Sequence, residues 1–453
     1  MTSVRVIGGG LSGCEAALQL ADAGYQVELH EMRPTVQTPA HKTDGLAELV
    51  CSNSFKGLAF TSAHGLLKEE IARCGSKLLP LAFESRVPAG ESLAIDRDVF
   101  SANVKAALEA RPNIHLIRDE VKTLDPDQWT ILATGPLTSE SLAQDLFARV
   151  AAIGAANGSP DAKRLFFFDS IAPVVMADSL EEEFLFAKNR WDKGDAPDFL
   201  NVPLDKEQYF EFVDALVAAD TVEAKPFEKG QLFEGCLPIE EMARRGRETL
   251  RYGPMRPIGL HDPRTDKRPF AVIQLRAENA QRSLYNLVGF QTRLKWGTQK
   301  DILTKIPGLR TAQFARLGAM HRNTFLDAPK VLEPTLRLRG TKIFCAGQIT
   351  GAEGYTEALS TGLYAAAALH AAIEGRENFR WPQGTCLAAL TEHLTSPNPD
   401  FQPMNFNFGL LPSNPVWKKK ERKERQIEEC QKAWEGFDPM GLKTAESVEA
   451  AST

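Results

Sequence analysis

Apolar residues occupy the start of the chain in two different rhythms. Val4, Val6 and Ile7 make a short β-branched run, and Ala16, Ala17, Leu20 and Ala21 then share one side of a helical stretch that Gly24 is expected to close. Tyr25 to Glu31 alternates with period two, so the opening reads as a βαβ unit of about thirty residues. Further on, the pattern predicts helices over 63–73 and 98–110 and strands over 114–117 and 129–132, an α/β texture for the first 175 residues or so. Between 178 and 321 the texture changes to an acidic Glu181-Glu182-Glu183, seven prolines from Pro203 to Pro269, and one strand-like run over 270–275. Strand-then-glycine returns at 341–347, followed by an alanine-rich helix over 358–373. A sheet begun at the N-terminus and completed near residue 370 implies one nucleotide-binding domain, 1–177 and 322–400, interrupted by an inserted α+β domain over 178–321. Residues 401–453 read as a loosely packed, polar extension.

Composition narrows the function classes. With 453 residues, 43% hydrophobic and 25% charged, the chain has room for more than one packed core. Met1 to Ile7 passes straight into glycines with no leader pattern, and the 358–373 helix is short and interrupted by Ser360, Thr361, Gly362 and His370, so a cytoplasmic location is expected. Seven cysteines, odd in number and without C-x-x-C spacing, suit reduced thiols and no metal site. A net charge of -6 leaves nucleic acid to local basic patches. Three stand out: 244–247; Arg293 with Lys295, Lys300 and Lys305; and the run 418–425, whose interleaved glutamates favour a solvated helix face.

Gly8-Gly9-Gly10-Leu11-Ser12-Gly13 lies between the first strand and its helix, where backbone and helix N-terminus can receive a pyrophosphate. Glu31, eighteen residues after Gly13, ends the second strand, where a carboxylate can accept from ribose hydroxyls and disfavour a 2′-phosphate. Such a loop serves NAD, FAD and S-adenosylmethionine alike. FAD is favoured by a strand ending in Ala133-Thr134-Gly135, as in two-dinucleotide flavoproteins. A second strand leads to Gly347 and Gln348 ahead of a long helix, whose N-terminus can stabilise negative charge on a reduced flavin. Gln348 stands where many flavoproteins carry an aspartate.

The run His-Lys-Thr-Asp-Gly-Leu-Ala-Glu-Leu-Val-Cys-Ser-Asn-Ser at 41–54 belongs to no generic flavoprotein. With Gly-Gln-Ile-Thr-Gly-Ala-Glu-Gly-Tyr at 347–355 it closely resembles the folate- and FAD-dependent tRNA (uracil-5-)-methyltransferases, the TrmFO or Gid family. Further matches fall at 233–240, 253–260, 287–292 and 320–324, and the resemblance spans roughly residues 4–410. It implies a Rossmann-type, two-dinucleotide FAD-binding domain with an inserted substrate domain. It also implies conversion of uridine 54 in the tRNA T loop to 5-methyluridine, with carbon from methylenetetrahydrofolate and electrons from NAD(P)H. Methylene on folate is at the oxidation level of formaldehyde, so a methyl group needs two more electrons, which explains a flavin in a methyltransferase. Expected partners are the tRNA T arm, the tetrahydrofolate cofactor and NAD(P)H.

Uracil C5 becomes nucleophilic once a thiolate adds at C6. Cys236, within Glu-x-Cys-x-Pro-Ile-Glu, matches the family's catalytic cysteine, with Arg244 and Arg245 following it as cations that favour a thiolate. Cys51 matches a second family cysteine, catalytic or structural, and Tyr355 stands where it can give or relay a proton near the flavin. His41 and His321 read as polar residues with a lean to ligand contact. Trp296 is either a platform for a flipped base or a core residue. Two alternatives stay open. The related, larger wobble-uridine tRNA-modifying flavoproteins share Ala-Gly-Gln-Ile and Gly-Tyr but carry a long helical C-terminal domain, which a chain ending at Thr453 would lack. A plain NAD(P)H-dependent flavin oxidoreductase fits the mild acidity and not the Cys236 motif.

Overall fold

The computed structural model describes residues 2–157, 164–193, 196–222, 237–376, 379–398, 401–418 and 420–441, and only the backbone of 164–170 and 320–322. The opening pattern folds as its periods require. Strand β1 (Ser3–Ile7), helix α1 (Leu11–Asp22) and strand β2 (Gln26–His30) form a parallel βαβ unit, and Gly24 adopts φ +88° to turn the chain between them. β1 is the centre of a five-stranded parallel sheet in the order Ile343–Cys345, Thr130–Leu132, β1, β2, Ile114–Ile117. The first and third of these strands come from sequence positions far apart, so the sheet closes only after the intervening chain has been set aside.

That intervening chain builds a second, antiparallel sheet of six strands, drawn from Val174–Met176 through Phe314–Arg316. Each sheet has its own hydrophobic core. Val6, Leu20 and Leu363 belong to the first, and Val202, Phe212 and Ile273 to the second. The backbone crosses between them as an antiparallel pair, Arg164–Ser170 with Met320–Leu326. The mixed α/β architecture with a parallel Rossmann-type sheet is the one expected from the sequence.

The helices at 63–73 and 98–110 appear as Ala63–Arg73 and Arg97–Glu109, capped by Ser62 and Asp96. A small three-stranded sheet, which local pattern did not predict, forms from Ser54–Gly57, Arg86–Val87 and Ser92–Ile95. The alanine-rich helix runs Tyr355–Ile373, and it packs so closely on α1 that a Cβ at Gly362 would lie 2.4 Å from the Ser12 carbonyl oxygen. No helix among the described residues is long and apolar enough to cross a membrane.

One expectation is corrected. Residues 401–441 are not loosely packed: Phe401, Phe406, Leu411, Ile427, Cys430, Trp434 and Met440 are buried in the first core. Helix Arg422–Ala433 is polar by count, yet Gln426, Ile427 and Cys430 form a narrow buried stripe at helical spacing. Its remaining face carries the expected solvated charges.

Candidate functional site

At the carboxyl ends of the parallel strands, on the crevice side where such sheets take ligands, lies a solvent-open cleft with about 1010 Å³ of empty space, part of it bulk solvent at the mouth. The loop Gly8 to Ser12, Glu31, Thr134, Gly135, Gln348 and Tyr355 all line it. The glycines do different jobs. Gly8 has φ +107°, and a Cβ there would lie 2.4 Å from the Ala133 carbonyl oxygen; at Gly13 it would lie 1.9 Å from the Gly8 carbonyl oxygen. Both permit close backbone packing. Gly10 is different, since a Cβ there would meet no protein atom within 4 Å, and its bareness leaves space open in front of the α1 N-terminus. Gly347 is buried against Ser12 rather than lining the cleft, and its N–H donates to Thr361 at 2.8 Å.

Glu31 is nearly buried and holds the cleft's edge together. Its carboxylate accepts from Gly9 N at 3.0 Å and from Arg33 N, Nε and Nη2 at 2.9, 2.9 and 3.1 Å. Four donors fill the four acceptor positions of a carboxylate, so its first task is to fix Gly9 and Arg33. Burial works to raise the Glu31 carboxyl, but the Arg33 guanidinium and the two backbone N–H groups outweigh it and hold it below the ordinary range. Arg33 also pairs with Glu48 at 2.9 Å. Neither Arg33 nor Glu48 was singled out in the sequence, although both fall beside or within motifs that were.

The sequence-predicted residues Tyr355 and Cys51 meet. The Tyr355 hydroxyl accepts from Cys51 N at 2.9 Å and Ser52 N at 3.1 Å, and burial pushes the phenol well above its usual range. This makes Tyr355 a fastener of the 50–53 segment as well as a wall of the cleft. Cys51 is half-buried and is not among the lining residues, while Val50 beside it is. Arg316 donates to the carbonyls of Val50 and Cys51 at 3.0 and 3.3 Å, and Arg276 Nε donates to Asn53 Oδ1 at 3.0 Å, so the second sheet grips the same segment. Of the other thiols, Cys14, Cys74, Cys345, Cys386 and Cys430 are buried, and burial pushes that of Cys345 up to about 12. These are packing residues.

Cys236 lies outside the described residues, and so do 233–235 beside it. The chain leaves the described part at Val222, whose N–H donates to Arg293 O at 2.8 Å, and is described again from Leu237, with Ile239 N donating to Gln291 O at 2.7 Å. Glu240, fully buried, accepts from Thr292 Oγ1 and Arg293 N at 2.8 and 2.9 Å and is pushed above the ordinary range by burial. Arg244 pairs with Glu241 at 2.5 Å, a carboxylate it shares with Arg293. Trp296, at the start of helix Trp296–Leu303, is 66% exposed, which removes the core-packing reading. His41 lines the cleft and shares a 2.6 Å hydrogen bond with Thr38; the side chain of His321 lies outside the described residues. No group of metal-ligating side chains occurs among the described residues.

The model of the family described as glucose inhibited division protein A matches residues 3–377. The methylenetetrahydrofolate–tRNA-(uracil-5-)-methyltransferase TrmFO of Geobacter sulfurreducens is 50% identical over 426 residues, covering 94% of this chain and 95% of that protein. Its namesake in Anoxybacillus flavithermus is 47% identical and covers 96% of this chain and 99% of its own. Among solved structures, GidA of Aquifex aeolicus superposes with a TM-score of 0.71 at 16% identity, covering 99% of this chain and 75% of that one, which speaks to the fold. The chain belongs to the glucose inhibited division protein A family, among its TrmFO members.

Proposed function

We propose that this protein is a methylenetetrahydrofolate-dependent tRNA (uracil-5-)-methyltransferase that works with FAD, forms 5-methyluridine at position 54 of the T loop, and draws its electrons from NAD(P)H. The observation that carries the reading is the cleft at the strand ends, with its bare Gly10 and its Glu31-anchored loop, in a chain half identical to a named TrmFO. The cradle suits FAD. Gly8 to Gly13 and the α1 N-terminus would hold the pyrophosphate, Glu31 would keep the loop in place by binding the Gly9 N–H, and Gly135, Gln348 and Tyr355 would border the remainder. FAD, when bound, supplies the two electrons that take a folate methylene to a methyl group.

The chain's own groups do the rest. Cys236 is the proposed nucleophile: its thiolate adds to uracil C6 and leaves C5 as the carbon nucleophile. Tyr355 fixes Cys51 and Ser52 through one backbone hydrogen bond each and is the proposed proton donor or relay at the cleft wall. Gly347 supports the glycine loop from behind. The antiparallel unit, expected over 178–321 and beginning already at strand Val174–Met176, is the proposed tRNA-facing domain; its separate core and the exposed Trp296 and Tyr252 support that assignment. The cytoplasm, where tRNA and reduced folate meet, is the proposed location.

The test is to incubate the flavin-loaded protein with unmodified tRNA transcript, methylene-labelled methylenetetrahydrofolate and NADPH, and to digest the RNA. Label in 5-methyluridine at position 54 is expected. Label at the wobble uridine, or flavin oxidation with no labelled RNA, would replace this reading with one of the two alternatives. Cys236→Ala is expected to abolish transfer while retaining FAD, and undiminished transfer would reject the nucleophile.

A further inference from the structure

Where the second sheet grips residues 50–53, three guanidinium groups lie within electrostatic reach of one carboxylate, and one of them pairs with it. Arg97 opens helix Arg97–Glu109, Arg276 lies on strand Ala271–Ala277, and Arg316 ends strand Phe314–Arg316. Glu278, 6% exposed, faces Arg97 at 3.0 Å. That contact is an ion pair without hydrogen-bond geometry. Arg97 Nε and Nη2, Arg316 Nε and Glu278 Oε1 are buried and make no hydrogen bond among the described residues. Asp96, the adjacent acid, is committed to capping Asp98 N and Val99 N.

Three positive charges therefore meet one negative charge. Burial holds the Arg276 and Arg316 guanidiniums below their ordinary range, and Glu278 offsets this only in part. A half-buried surplus of cations with unused donors is costly unless an anion completes it. Guanidinium forks match the planar oxygens of carboxylate and phosphate. The cluster lies near the surface, with Cys51 half-buried and the Arg97 side chain keeping 20% exposure, although the orphaned nitrogens themselves are buried. It adjoins the cleft through Tyr355 and Val50.

We propose that Arg97, Arg276 and Arg316 form an oxyanion-binding site beside Cys51 that takes a carboxylate or phosphate of a small co-substrate. The inference rests on the function proposed above, whose co-substrates bring such groups: the glutamate carboxylates of a reduced folate, or the pyrophosphate of a nicotinamide dinucleotide.

The experiment titrates flavin-loaded wild type and Arg97→Gln with tetrahydrofolate, with a tetrahydropterin lacking the glutamate, and with NADH, following flavin absorbance. Arg97 is the informative position because its orphaned atoms tie down no backbone. Arg97→Gln is expected to weaken one of the two anionic ligands by about tenfold or more. A folate source is identified when that loss disappears with the tetrahydropterin, and a dinucleotide source when NADH alone weakens. Arg97→Lys should recover part of the affinity, and Arg316→Gln should repeat the loss if Arg97→Gln fails to keep its flavin. Affinities for both anionic ligands within about twofold of wild type in every variant that keeps its flavin overturn the site, as does a wild type that binds neither. Absence of methyl transfer to tRNA would defeat the proposed function and still leave these titrations readable.

Discussion

Gly10 and Gly13 sit on one loop, yet the same added methyl group would meet opposite surroundings there. At Gly13 it would press on the Gly8 carbonyl, and Gly13→Ala is expected to destabilise the fold by about 1–3 kcal/mol. At Gly10 it would meet no protein atom, so Gly10→Ala should leave the unfolding free energy within about 0.5 kcal/mol and act on FAD retention instead. Thermal unfolding of the apoprotein and flavin content after gel filtration separate the two, and equal loss of stability would refute the distinction. Glu31 makes a pH-dependent prediction. Its carboxyl is held below its ordinary value of 4.5, so the stability it adds is present above that value and is lost as pH falls through the lower, folded value. Glu31→Gln leaves the 1%-exposed Arg33 with Glu48 alone and should cost about 3 kcal/mol at pH 7. Below pH 4.5 the difference should shrink; denaturant titrations at both ends that show the same gap would reject the assignment.

Elements were legible where period and punctuation agreed. The helix Ala63–Arg73 has Ser62 before it and an apolar stripe along it, and pattern located both ends. Helix Lys206–Ala218 carries a comparable signal, a capping box at Asp205 and Gln208 followed by buried Tyr209, Phe212, Val213 and Leu216, and was missed beneath the proline-rich texture around it. The C-terminal helix was misjudged because average polarity hid three buried positions. Trp434, 6% exposed, and Phe437, which meets Trp381 edge-on at 4.8 Å, show how firmly that end is packed. Trp434→Ala should therefore destabilise the whole parallel-sheet unit by about 3–5 kcal/mol. A near-neutral unfolding midpoint would mean that the end is peripheral after all.

At the scale of the molecule, two cores share one chain, and function is expected where their surfaces adjoin. Trp296 belongs to the second unit and is solvent-facing, so Trp296→Ala should leave the unfolding midpoint unchanged. If it stacks on a tRNA base it should weaken binding by about 1–3 kcal/mol, readable by gel shift against the unmodified transcript. Unchanged affinity would remove Trp296 from the interface. Residue order alone determined the βαβ opening, the glycine cradle, the second strand's terminal carboxylate and the family, because periods, caps and turn glycines act over a few neighbouring positions. Tertiary structure alone decided that Cys51, Arg97, Arg276, Arg316 and Tyr355 share one junction, that Glu31 is saturated by protein donors, and that residues 401–441 complete the first core. The junction's contacts join positions hundreds of residues apart, and which of them form is chosen by packing and loop closure across the whole chain.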